Sequence, residues 1–266
     1  MPTVTAPIIP GAEPFHHDGG PLGVLVCHGF TGSPQSLRPQ AEALADAGFS
    51  VEAPLWPGHG TAVEDMLPTR WSDWSEAAEA AFRQLNGRCE AVALVGLSMG
   101  GTLACWLAEH HTEIRGLVLV NPFVEPPADS FRDVLRGMLT SGTEVAPGIG
   151  SDIAMAGSEE ISYPGTPIAA VLSLFEGIDA VAPRLDHIRC PVLLLSSRED
   201  HVVPSSSGDL LVERVAGPVE RVWLEKSYHV ATLDHDAAEI SRRTVDFVGQ
   251  VLGGPGAGEL HGGTSA

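Results

Sequence analysis

Five residues, Gly96-Leu97-Ser98-Met99-Gly100, set a serine between glycines in the G-x-S-x-G pattern. A serine hydroxyl is a weak nucleophile near neutral pH and needs a base held in one tautomer by an acid. The pattern alone arises often by chance, so its setting decides its weight. It follows the apolar run Ala91-Val92-Ala93-Leu94-Val95 and opens a helical stretch. The serine therefore stands on a sharp strand-to-helix turn, with its hydroxyl near a helix N-terminus where developing negative charge is favoured. Serine at this turn excludes an aspartyl nucleophile.

In this arrangement the acid and then the base follow the nucleophile along the chain. Asp200 comes just after a strand expected over 192–196 and is the preferred acid, with Glu199 beside it and Asp236 as rivals. His229 lies between a strand at 219–224 and the last helix, the place for the base. His235 is too close to that helix, and His187 and His201 precede or border the acid. The oxyanion formed on attack needs main-chain donors. The N–H of Met99 is one, and the N–H of Phe30, in the loop His28-Gly29-Phe30-Thr31-Gly32, is the other. No cofactor is expected, and no metal, because the histidines lack H-E-x-x-H or similar spacing.

The elements that must position these groups alternate between apolar strands and helices, the signature of an α/β fold with a mostly parallel sheet and helices on both faces. Strands are expected over 22–27, 49–53, 91–95, 117–121, 192–196 and 219–224, and their continuous apolar character suits strands covered on both sides. A further strand over 13–17 is expected to pair with the first of these across Asp18-Gly19-Gly20. Ser33-Pro34 reads as an N-cap and first helical position, with Gly48 ending that helix. Helices are also expected over 71–86, 99–110, 168–182 and 236–252, the last with Ile240, Phe247, Val248 and Val251 on one face. Between Asn121 and Pro191 there are helical pieces and Gly/Pro/Ser breaks but no good strand. Residues 123–167 are read as a small cap inserted between two core parts, 1–122 and 168–252, and the Gly-rich stretch 253–266 as a disordered tail.

Bulk properties narrow the partners. The chain has 266 residues, 44% hydrophobic and 18% charged, enough for a large core and too apolar for a disordered chain. Its 34 acidic against 15 basic residues give a formal charge of −19, which repels nucleic acid and anionic lipid. Cys27, Cys89, Cys105 and Cys190 are scattered, with no C-x-x-C pair. No apolar run approaches the length of a bilayer span, and the N-terminus shows no signal peptide, so a cytoplasmic location is expected.

With these pieces assembled, the chain resembles bacterial carboxylesterases and monoacylglycerol lipases of the α/β-hydrolase superfamily. The likeness runs through most of the chain, in His28-Gly29-Phe30-Thr31-Gly32-Ser33, Pro54-Leu55-Trp56-Pro57-Gly58-His59-Gly60 and Gly96-Leu97-Ser98-Met99-Gly100-Gly101. It continues in Glu199-Asp200-His201-Val202-Val203-Pro204 and in 227–234, Ser-Tyr-His-Val-Ala-Thr-Leu-Asp. The resemblance implies ester hydrolysis through an acyl-enzyme, with Phe30 and Met99 as oxyanion donors. In the cap it extends to 149–153 and 160–163 and departs at 154–158. It implies that Ile149 lines the acyl passage and that Glu160 helps receive a glycerol head group.

The substrate expected is a small lipid or ester, foremost a monoacylglycerol. A general short- or medium-chain carboxylesterase or thioesterase is the nearest alternative, and a non-catalytic receptor on the same fold the remote one. Met138, Leu139, Val145, Ile149, Leu172 and Phe175 are candidates for the apolar lining. No stable membrane anchor is expected, only transient lipid contact through an apolar cap rim, and oligomeric state is left open.

Overall fold

The computed structural model describes residues 6–148 and 150–253. A short strand β1 (Phe15–His17) leads into β2 (Leu22–Cys27), a 3-10 turn at Pro34–Leu37 and α1 (Arg38–Asp46). Then come β3 (Ser50–Ala53), the one-turn α2 (Val63–Met66), α3 (Trp71–Asn86), β4 (Ala91–Leu97), α4 (Met99–His110) and β5 (Leu117–Val120). After β5 the chain leaves the sheet through α5 (Asp129–Thr140), β6 (Val145–Pro147) and β7 (Gly165–Pro167), returning along α6 (Ile168–Val181). The sheet is completed by β8 (Val192–Ser197), α7 (Ser206–Arg214), β9 (Val219–Leu224) and α8 (Ala237–Leu252).

The seven strands lie in the order β1-β3-β2-β4-β5-β8-β9, all parallel except β1. Alternate side chains of each strand enter two separate cores, because successive residues point to opposite faces. Leu25, Leu94, Leu119 and Leu194 pack under α3, α4 and α6. Val24, Val95, Val120 and Leu195 pack under α1 and α8, where Leu44, Ile240 and Val248 meet them. A sheet covered on both faces needs strands with no polar side, which is why these segments read as unbroken apolar runs. At the outer strand β9, the Trp223 ring lies between the guanidinium groups of Arg198 and Arg221, 4.0 and 3.8 Å from its centroid.

Three expectations are corrected here. β1 pairs antiparallel with β3, Phe15 opposite Ala53, and not with β2. The glycines after it pass beneath the start of β3: Gly20 N–H donates to Gly48 O at 2.7 Å, and Gly19 has no room for a Cβ against the Phe49 carbonyl. That crossing carries the chain past β3 to β2, so no tight hairpin forms. The stretch after Asn121 does contain strands, β6 and β7, paired antiparallel with Val145 opposite Pro167. At three residues each, with proline in both, they are too short to show a period of two. Ser33 stands at the expected helix start with Pro34 at the first position, yet its hydroxyl makes no cap bond and is buried unpaired. The Gly48 stop and the buried Ile240, Phe247 and Val248 on α8 are as expected. Residues 254–266 of the expected tail lie outside the described residues. No described helix is long and apolar enough to cross a membrane.

Candidate active site

β4 ends at Leu97 and α4 begins at Met99, so Ser98 alone makes the turn. Its backbone sits at φ 54°, ψ −118°, which L residues rarely adopt. Surrounding bonds hold it there. Ser98 N–H donates to Val120 O at 3.1 Å, and its carbonyl accepts from Gly101, Thr102 and Phe123 at 2.9, 3.2 and 3.3 Å. The flanking glycines are a packing requirement as well. A Cβ on Gly100 would overlap the Cys27 carbonyl of β2, and one on Gly96 would overlap Gly100.

His229 faces the same pocket as Ser98. Its Nδ1 lies 2.8 Å from Asp200 Oδ2, and both side chains are nearly enclosed. The other carboxylate oxygen, Oδ1, accepts the N–H groups of Val202 and Val203, each at 2.8 Å. Two main-chain donors therefore fix the carboxylate while its second oxygen orients the imidazole, leaving Nε2 as the nitrogen free for proton transfer. The rival groups are elsewhere. Glu199 and His235 border a separate surface depression, and Asp236 accepts from Ser227 Oγ at 2.8 Å. His201 pairs with Asp152, and the exposed His187 lies beside Asp186.

Phe30 also lines the pocket, and a Cβ on Gly29 would sit 3.4 Å from Ser98 Cβ, so the His28–Gly32 loop presses against the turn. Met99 is the first residue of α4, a position whose N–H has no acceptor within the helix. The loop itself is pinned by His28. Its Nδ1 lies 2.9 Å from Gly29 O and its Nε2 accepts the Trp56 N–H at 3.2 Å, which requires the neutral Nδ1–H tautomer. Burial, and secondarily the neighbouring His59, push the His28 pKa well below that of free histidine. His59 packs edge-on against His28, Phe30 and Trp74, and burial takes its pKa down to about 4.

The pocket holds about 390 Å³. Around Ser98 and His229 its walls are apolar, with Phe123, then Phe131, Val134, Leu135 and Met138 from α5, then Val171, Leu174 and Phe175 from α6. The lining candidates Met138 and Phe175 are there. Leu139, Val145 and Leu172 are not, because the wall takes the i, i+3, i+4, i+7 stripe of α5 and the 171/174/175 face of α6, and Val145 yields to Ala146. Ile149 lies outside the described residues. Glu160 is in the wall, its Oε1 close enough to Gly32 that a Cβ there would come within 2.7 Å. The protein packed round this carboxyl raises its pKa above the ordinary carboxylate value, partly offset by His229 and by bonds with Ser162 and Ser36. α5 is fastened to α6 by Arg132, which meets Asp179 in a bidentate pair with both contacts at 2.7 Å and lies over the Phe175 ring.

Asn121 is a site residue that sequence reasoning missed. It stands at φ 42°, and its Nδ2 donates to His229 O and Ser197 Oγ at 2.8 and 2.9 Å while its Oδ1 accepts Ser197 N–H at 2.8 Å. Among the described residues the non-glycine positions with positive φ are Thr31, Ser98 and Asn121, and each borders this site or touches His229. Backbone strain gathered at one place marks a functional centre. An asparagine ending a strand was the available signal, since Asn tolerates this conformation.

Residues 22–236 match the family model described as serine aminopeptidase, S33. The chain belongs to this family of serine hydrolases. It is 43% identical over 251 residues to the thermostable monoacylglycerol lipase of Bacillus sp. (strain H-257), a match covering 93% of this chain and 98% of that one. It is 27% identical over 239 residues to the carboxylesterase of Bacillus subtilis (strain 168), covering 89% and 96%. Among solved structures, one from work on the metagenome-derived lipolytic enzymes LipS and LipT superposes with a TM-score of 0.87 at 40% identity, over 91% of this chain and 99% of that one. The monoacylglycerol lipase of Paleococcus ferrophilus, at 19% identity and a TM-score of 0.75, shares the fold. The α/β-hydrolase class of the fold is thus shown twice, by strand order and by family.

Proposed function

We propose that this carboxylic ester hydrolase cleaves monoacylglycerols to fatty acid and glycerol, with Ser98, His229 and Asp200 as its catalytic triad. The observation that carries the reading is the composition of one pocket: an apolar wall built by α5 and α6 meets Ser98 and His229, with Glu160 the ionisable group beside them. An apolar wall accepts an acyl chain, and a carboxyl can hydrogen-bond the hydroxyls of a polyol. The 43% identical lipase supports the same substrate class.

In this reading Ser98 Oγ attacks the ester carbonyl carbon as His229 Nε2 takes its proton. The oxyanion is received by the N–H groups of Phe30 and Met99. Collapse expels glycerol, which takes the proton back from His229 and leaves the acyl group on Ser98. Water, activated by the same imidazole, then releases the fatty acid. Residues 123–167 act as the cap that shapes the acyl site, with Ile149 assigned to it by resemblance. Phe131 and Val134, 51% and 60% exposed, would meet lipid aggregates transiently. A cytoplasmic setting suits the four free thiols.

Comparing kcat/KM across monoacylglycerols, diacylglycerols and simple alkyl esters tests the substrate. Monoacylglycerols should lead, and Glu160→Gln should raise KM for them while leaving simple esters unaffected. Equal efficiency throughout would favour a general carboxylesterase.

A further inference from the structure

A third chain segment reaches the His229–Asp200 pair from outside the sheet. Asp152, between β6 and β7, accepts on its Oδ2 the backbone N–H groups of His229 at 3.0 Å and His201 at 3.2 Å. Its Oδ1 lies 2.8 Å from His201 Nδ1, and its carbonyl accepts the Val230 N–H at 3.0 Å. His201 follows Asp200 directly, so one carboxylate grips the main chain beside both partners of the pair. The segment is also held in return. Asp234 accepts the N–H groups of Ala154 and Met155 at 2.7 and 2.9 Å, and Ser158 Oγ donates to Leu233 O at 2.7 Å.

We propose that Asp152 is a positioning residue for the base: by accepting the His229 N–H it fixes the backbone that carries the imidazole, and so governs kcat. This rests on His229 being the base. With Asn121 holding the His229 carbonyl, the main chain is anchored on both sides of its Cα. The imidazole direction is then left to its two side-chain torsions, which Asp200 closes. Asp152 takes no part in proton transfer. Losing it would strand a buried N–H and let the loop shift to find another acceptor.

Which substitutions are tolerated follows from the acceptor geometry. Asparagine keeps an oxygen at the Oδ2 position, and its amide can donate to His201 Nδ1 once that ring changes tautomer. Glutamate keeps the charge but carries its oxygens one methylene too far. A displacement near 1 Å costs about 10²-fold, so Asp152→Ala and Asp152→Glu should lose about 10- to 100-fold in kcat with KM nearly unchanged, while Asp152→Asn stays within about threefold. Fluorophosphonate labelling of Ser98 should slow by the same factors as kcat. Ser158→Ala removes one anchor of the same segment but leaves Asp152 its bonds to His229 and His201, so it should lower thermal stability and cost far less in kcat than Asp152→Ala does. Wild-type kcat in the alanine or glutamate variant, a loss confined to KM, or an asparagine variant as impaired as the glutamate one would each overturn the proposal. Should the alanine variant not fold, the contrast between asparagine and glutamate decides. His229→Ala run alongside separates the two readings. Activity retained there removes the base itself, whereas an inactive His229→Ala beside unimpaired Asp152 variants removes only the positioning role.

Discussion

In the proposed mechanism Ser98→Ala deletes the atom that carries the acyl group, and kcat should fall by about 10⁶ with the circular-dichroism spectrum unchanged. A mutant retaining near-full turnover would mean that another residue is the nucleophile. A second expectation concerns His59, whose imidazole is buried neutral with a pKa of about 4 against 6.5 for a free histidine. The unfolded chain binds that proton between the two values and the folded one does not, so stability is lost as pH falls from 6.5 towards 4. The loss is on the order of 3 kcal/mol if His59 acts alone. Thermal melts of His59→Gln at pH 7 and pH 5 should show a smaller drop between the two than the parent. At this scale the sequence made Ser98, Asp200 and His229 readable, because each has a place relative to a strand end. It was silent on Asn121 and Asp152, which act on main-chain groups more than a hundred and about eighty positions away along the chain. No spacing rule reports a side chain bonded to a distant peptide.

Among the elements, α5 supplies four apolar residues to the pocket wall and is tied to α6 by the fork of Arg132 on Asp179. Asp179 is 44% exposed, so water weakens the pair, and its loss should cost about 1–2 kcal/mol. Arg132→Ala should therefore lower Tm modestly. It should raise KM for esters of long-chain acids more than for acetate or butyrate esters, because in the proposed binding mode only long acyl chains reach the wall that α5 builds. An equal change for every chain length would place α5 outside the acyl site. The stripe Phe131, Val134, Leu135 and Met138 was present in the sequence as a helical period. What the sequence lacked was the partner that tells an acyl-binding stripe from a packed one. The central strands were legible because a doubly covered sheet demands unbroken apolar runs, and α1 and α3 because Gly48 and Gly87 mark their ends. The ribbon of β6 and β7 was not, since three residues carry no period, and the place of β1 was not, since pairing across β3 depends on where Gly19 and Gly20 can pass.

For the molecule as a whole, the charge of −19 sets how it meets an interface. On vesicles carrying anionic lipid, hydrolysis of an embedded substrate should be slow at low salt and rise with ionic strength, as screening shortens the repulsion to about 10 Å at 0.1 M. On neutral micelles the same addition of salt should leave the rate flat, and stopped assays on both surfaces would show it. The sheet's two margins matter at this scale too. β3 would present a row of unpaired amides and carbonyls were β1 not laid against it, and on the far side the Trp223 ring sits clasped by two guanidinium groups. An open strand edge is a template on which another chain can build. The three residues of β1 thus act as a selvedge: they replace the open edge of β3 with a margin too short to serve as a template, which should disfavour one copy of this enzyme knitting to the next, strand to strand.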